Sequence, residues 1–120
     1  MTKQETTATV FQRAEVLAET LTAKLHQRWS HTVGKEFFVL GKQSNFQQRF
    51  IRLLHKTENG ASVHAFIEIA TGKIVKPAGW KAPAKYANGE LASKYNLLET
   101  ESFEKALEKC DEHGGWLYAR

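Results

Sequence analysis

Cysteine, proline and, over one long stretch, acidic charge are scarce in this chain, and each scarcity narrows what it can be. A single cysteine, Cys110, leaves no internal disulfide and no cysteine-based zinc cluster. Only two prolines occur, Pro77 and Pro83, so the breaks they impose are confined to one short segment. No apolar run approaches the roughly 20 residues needed to cross a bilayer. The N-terminal MTKQETTATV has no apolar core of the kind a secretory signal carries, and the expected location is the cytoplasm. Between Ile69 and Gly89 there is no acidic residue at all.

What is present is the composition of an ordinary globular protein of 120 residues, expected to form a single domain over 1–120. The net charge of +4 is unevenly spread. Residues 1–34 carry +1, residues 35–96 carry +6 and residues 97–120 carry −3. A basic middle suggests an anionic partner, although lysines also serve to solubilise a sheet and guard its edge.

Periodicity sets the fold class. Val10, Ala14, Leu17, Ala18, Leu21 and Leu25 recur at helical spacing, predicting a long helix over Glu5–Arg28 with Thr6 or Thr7 as its cap. Gln12, Arg13, Glu15, Glu19 and Lys24 fill the opposite face. Strands follow at Lys35–Leu40, Phe46–Lys56, Ala61–Ile69 and Lys73–Lys76, the middle two joined by the turn Glu58-Asn59-Gly60. In the third, Ala61, Val63, Ala65, Ile67 and Ile69 alternate with Ser62, His64, Phe66 and Glu68, so His64 and Phe66 are expected to face outwards. Residues 77–99 break every period and read as a long loop. A short helix over Glu101–His113 follows, and Trp116-Leu117-Tyr118 is a final stub that docks on the core or adds an edge strand. The expectation is an α+β fold, with a long N-terminal and a short C-terminal helix on a three- to four-stranded antiparallel meander.

Nothing in the pattern supports catalysis. The five histidines are scattered with no pair at ligand spacing on one helix, no glycine-rich phosphate loop is visible, and Cys110 lies on the apolar stripe of the second helix. No catalytic residue, metal site or cofactor is expected. The acid-free segment is more informative. Lys73, Lys76, Lys81 and Lys85 surround Trp80, which stands between the two prolines. Ammonium groups neutralise phosphates and an indole stacks on a base, so the segment fits single-stranded nucleic acid. Arg49 or Arg52, which lie on opposite faces of the second strand, and the outward pair His64 and Phe66 would extend that surface. The competing reading makes Trp80 a hydrophobic plug that folds the loop onto the core, with ordinary solvated lysines around it.

The helix–strands–helix order is also that of the double-stranded RNA-binding domain. That family's lysine cluster opens its second helix, whereas here Lys81–Lys85 contains Pro83 and sits well before the helix, so only the topological likeness remains. The runs Ala70–Ala78, Trp80-Lys81-Ala82-Pro83-Ala84-Lys85, Tyr95–Glu99 and Gly114–Tyr118 resemble small bacteriophage proteins of uncharacterised function, over roughly the last half of the chain. Tyr86–Lys94 is a longer insert than that pattern has. The resemblance implies a phage origin, hence the cytoplasm of an infected host, and supplies no activity. The expected function is non-catalytic binding of nucleic acid. The alternative is a protein–protein module that engages an acidic host or virion protein, with the acidic second helix available for homo-oligomerisation.

Overall fold

Helix α1, Lys3–Arg28, starts earlier than the spacing of apolar residues implies, because Thr2 and Glu5 form a capping box. The Thr2 hydroxyl accepts from the Glu5 amide at 3.1 Å, and the Glu5 carboxylate accepts from the Thr2 amide at 3.0 Å. These hydrogen bonds, the backbone one first, hold the Glu5 carboxyl below its usual range. The computed structural model describes residues 2–42, 49–80 and 82–118. All six apolar positions read from the helical spacing are buried.

The helix lies on one face of a five-stranded antiparallel sheet in chain order: β1 (Phe37–Leu40), β2 (Phe50–Thr57), β3 (Gly60–Glu68), β4 (Lys73–Val75) and β5 (Ser93–Asn96). The class is α+β, with five strands where three to four were expected. The additional strand, β5, lies inside the stretch that reads as loop. Ser-Lys-Tyr-Asn has too few apolar residues to show alternation, and its pairing with β4 is what makes it a strand. That corner depends on Gly72, which has φ +77°, where a Cβ would lie 2.9 Å from the Leu98 amide nitrogen. Helix α2, Thr100–Lys109, packs against β5 and α1, and the stub Gly115–Leu117 forms a single 3₁₀ turn that buries Trp116 and Leu117 in the core.

Two residues assigned above to the solvent face of α1 tie it down instead. The Lys24 ammonium donates to the carbonyls of Leu107, Glu108 and Cys110 at 2.7–2.9 Å, satisfying the free end of α2. Arg13 donates to the Leu97 carbonyl at 2.7 Å while lying over the Phe103 ring.

The sheet therefore has an inner face under α1 and an outer face away from it. Ile51, Leu53, Ala65, Ile67, Ile74 and Tyr95 belong to the inner core. Phe66, Val75 and Leu91 form a second, smaller cluster, with Phe50 and Val63 packed against it. The two clusters reveal where strict alternation in β3 fails. Leu53 pairs with Ala65 and Leu54 with Val63, so His64 is an extra residue opposite a single step of β2. Val63 consequently shares the outer face with Phe66, while His64 turns inwards beside Ala65. The expectation that His64 and Phe66 are outward and exposed is corrected: they are 8% and 2% exposed.

Candidate nucleic-acid interface

The prolines and glycines of the segment after β4 build two small stacked turns. Ala78 and Gly79 donate to the Ala82 carbonyl, closing a tight turn with Trp80 at its tip. Flanking it, Pro77 and Pro83 face each other across an antiparallel bridge. The second turn closes where Tyr86 donates to the Glu90 carbonyl at 2.7 Å, and Lys85 faces Leu91 across it. The Asn88 side chain accepts from the Glu90 amide and shapes that tip. Leu91 then drops into the outer cluster and anchors the whole arch to the sheet.

Trp80 is 49% exposed. It is therefore not an internal plug. It is also not loose, because the Arg52 guanidinium lies 5.6 Å from its ring and the Arg52 Nε donates to its carbonyl at 3.0 Å. Arg52 pairs across the ladder with Phe66, which fixes it on the outer face. The question of which arginine belongs there is thus answered by a side chain reaching from the centre of the sheet to the loop. The charge-assisted hydrogen bond ties down the backbone at Trp80, and the cation–π contact steadies its ring.

The other residues divide. Arg49, just before β2, gives both its Nε and Nη2 to one oxygen of Glu68 at 3.1 Å, and it lies over the Phe50 ring. Glu68 is itself buried and also accepts from the Thr71 hydroxyl. Arg49 thus borders the outer face with its charge matched. Lys73 shares the outer face with Val75 by strand alternation, and Lys85 is exposed on the second turn. Lys76 does not join them. It follows Val75 and turns the other way, its ammonium 4.3 Å from the centre of the Tyr118 ring. Lys81 lies outside the described residues. His64 and Phe66 leave the surface because both are buried, Phe66 as part of the floor beneath the arch.

The histidines show what the sequence hid. His55, His64 and His113 line one cleft of about 230 Å³, with Lys76, Glu112 and Tyr118. Sequence distance had set them apart, since they come from β2, the β3 bulge and the loop after α2. His64 accepts a hydrogen bond from the Trp116 indole at 3.0 Å. Burial, then the neighbouring His55, lowers its pKa to about 4, against the smaller opposing pull of Asp111 and Glu112. Among the described residues, no group of three His, Cys, Asp or Glu side chains is arranged to hold a metal ion. Nor is any described helix long and apolar enough to cross a membrane.

The model of a family of unknown function, DUF7717, matches residues 1–119, and the chain belongs to that family. The match spans both halves of the chain, and the family's description names neither a phage source nor an activity. No curated protein matches the chain, and no solved structure does.

Proposed function

We propose that this protein is a small, non-catalytic binder of single-stranded nucleic acid that uses the outer face of its sheet. The observation that carries the reading is the half-exposed Trp80 at a turn tip, held from the sheet by Arg52. An indole fixed in place loses little conformational freedom when a base stacks on it. Arg52, Lys73 and Lys85 supply cationic charge around it, with Arg49 at the border. The footprint is smaller than the run of lysines implies, because Lys76 belongs to another region. Sequence-tolerant stacking with few phosphate contacts favours weak to moderate, strongly salt-dependent affinity. The proposal includes a phage origin and action in the cytoplasm of the infected host.

Anisotropy of fluorescein-labelled single-stranded and duplex oligonucleotides across a salt series tests this. The parent should prefer the single strand, with log affinity falling linearly against log salt. Each phosphate contact adds about 0.7 to that slope for single strands, so Lys85→Glu should flatten it by about that amount or more. Trp80→Ala should weaken binding at every salt by about 1–3 kcal/mol with the slope preserved. Absence of binding at low salt would overturn the proposal. It would favour the alternative, in which Trp80 and Arg52 anchor an acidic protein partner, since Trp and Arg are also the residues that dominate protein interfaces.

A further inference from the structure

The cleft beside the C-terminal 3₁₀ turn is walled by groups whose hydrogen-bonding roles can be assigned one by one. An indole N–H only donates, so the His64 Nε2 that receives the Trp116 bond at 3.0 Å carries no proton. In the neutral ring the proton must then sit on Nδ1. That Nδ1–H has no partner among the described residues, and the side chains described leave no fully buried nitrogen or oxygen unpaired. His64 lines the cleft, so this N–H belongs to its wall. Gly114 borders it: a Cβ there would stand 3.6 Å from Cε1 and 3.9 Å from Nδ1 of His64, in ordinary contact with the ring.

One carboxylate oxygen of the wall is already engaged. Glu112 is almost fully covered and receives the Trp29 indole N–H at 2.8 Å, with Arg28 and His113 at 3.6 and 3.9 Å from the same oxygen. His55 is turned to Glu36 at 3.0 Å. Two donors of the wall have no acceptor among the described residues, the His64 Nδ1–H and the Lys76 ammonium parked over Tyr118, and the hydroxyls of Ser62 and Tyr118 can donate or accept. The Glu112 charge is matched by Arg28, whereas Lys76 has no carboxylate at ion-pair distance among the described residues, so the two unmet donors suit an anion. Its volume of about 230 Å³ lies below the roughly 300 Å³ at which pockets for drug-sized ligands and cofactors begin.

We propose that this cleft is a binding site for a small oxyanion, the phosphate or carboxylate group of a compact metabolite, held by the His64 Nδ1–H and the Lys76 ammonium. The buried imidazole gives direction and the lysine gives charge. This site is independent of the Trp80 surface, and either can fail without the other.

The test is a titration of the full chain at neutral pH with inorganic phosphate and, separately, acetate, at ionic strength held constant with chloride. The imidazole and backbone amide nitrogens are followed by NMR. The expected result is a saturable shift at His64 Nδ1 and at the Gly114 amide with one or both oxyanions, and the stronger of the two identifies the class. Lys76→Met, a change at a partly exposed position outside the core, should weaken that binding about tenfold, the effect of losing one charge-assisted hydrogen bond. Trp80→Ala should leave it unchanged. Shifts that never saturate, that chloride reproduces, or that Lys76→Met leaves intact would overturn the proposal.

Discussion

The two faces of this sheet are covered in opposite ways. The inner face lies under α1, a 26-residue helix whose six buried positions repeat with one period. The outer face is closed in part by an aperiodic arch that contributes Leu91 to a cluster of three buried residues. A helix seals a sheet by repetition, and a single lapse is shared with its neighbours. An arch seals it at one or two points and leaves the rest of the face, including Trp80, open to solvent. The closed face holds most of the buried core, and the open one is where the proposed ligand would sit.

The sharpest way to break this contrast is to delete apolar volume on each side. Ile67→Ala, in the fully buried inner core, should cost about 4 kcal/mol in urea unfolding, within the range for large-to-small core changes. Leu91→Ala should cost about 2 kcal/mol, because the arch can settle into the space. Equal losses would show that the arch is as integral to the fold as the helix is.

His64 sharpens the comparison from the inner side. Its folded pKa of about 4 lies below the unfolded value near 6.5. Above pH 6.5 the ring is neutral in both states, so the tie to Trp116 is intact. As pH falls from 6.5 towards 4 the unfolded chain takes up a proton that the folded chain refuses, and stability drops by about 3 kcal/mol in total. The groups facing this ring are His55, Asp111 and Glu112, and the two carboxylates oppose the effect without reversing it. Denaturant midpoints measured across that interval should slope downwards in the parent and much less in His64→Gln.

Smaller again is the effect of Lys24. Lys24→Met should destabilise by about 1–2 kcal/mol in the same unfolding assay, since it leaves the carbonyls at the end of α2 to water. Smallest is Trp80→Ala, which should change stability by no more than about 1 kcal/mol, the scale of a cation–π contact, while affecting binding most. If Trp80→Ala unfolds the protein instead, the outer face is a second core and the contrast fails.

The parts of the molecule that were legible in the sequence follow from the same contrast. The α1 stripe was readable because a helix that covers a sheet must repeat its apolar residues. Reading β3 went wrong at a single residue: the bulge at His64 inserts one step, and every side chain before it changes face relative to those after it. No local pattern announces such an insertion, since the groups that receive the inward His64 are distant in sequence: the Trp116 indole and the Phe38 ring, whose centre lies 4.9 Å from that of His64. Trp80 was recognisable as a feature from its prolines and lysines. Its Arg52 support was not, because 28 positions separate the two and only the sheet register joins them. The lysines misled through their adjacency. Lys73 opens β4 and Lys76 is the first residue past its end, an odd number of steps on, so they point to opposite faces.

The Trp80 indole is the group on which the functional account turns, and its N–H can be watched directly. Trp29 is bonded to Glu112 and Trp116 to His64, whereas the Trp80 N–H has no partner among the described residues. In an NMR titration of the chain with a short single-stranded oligonucleotide at low salt, the account predicts that the Trp80 indole resonance shifts upfield by base stacking. The Trp29 and Trp116 resonances should stay in place. A saturable shift confined to Trp29 or Trp116, or no indole shift while Trp80 remains exposed, would contradict it.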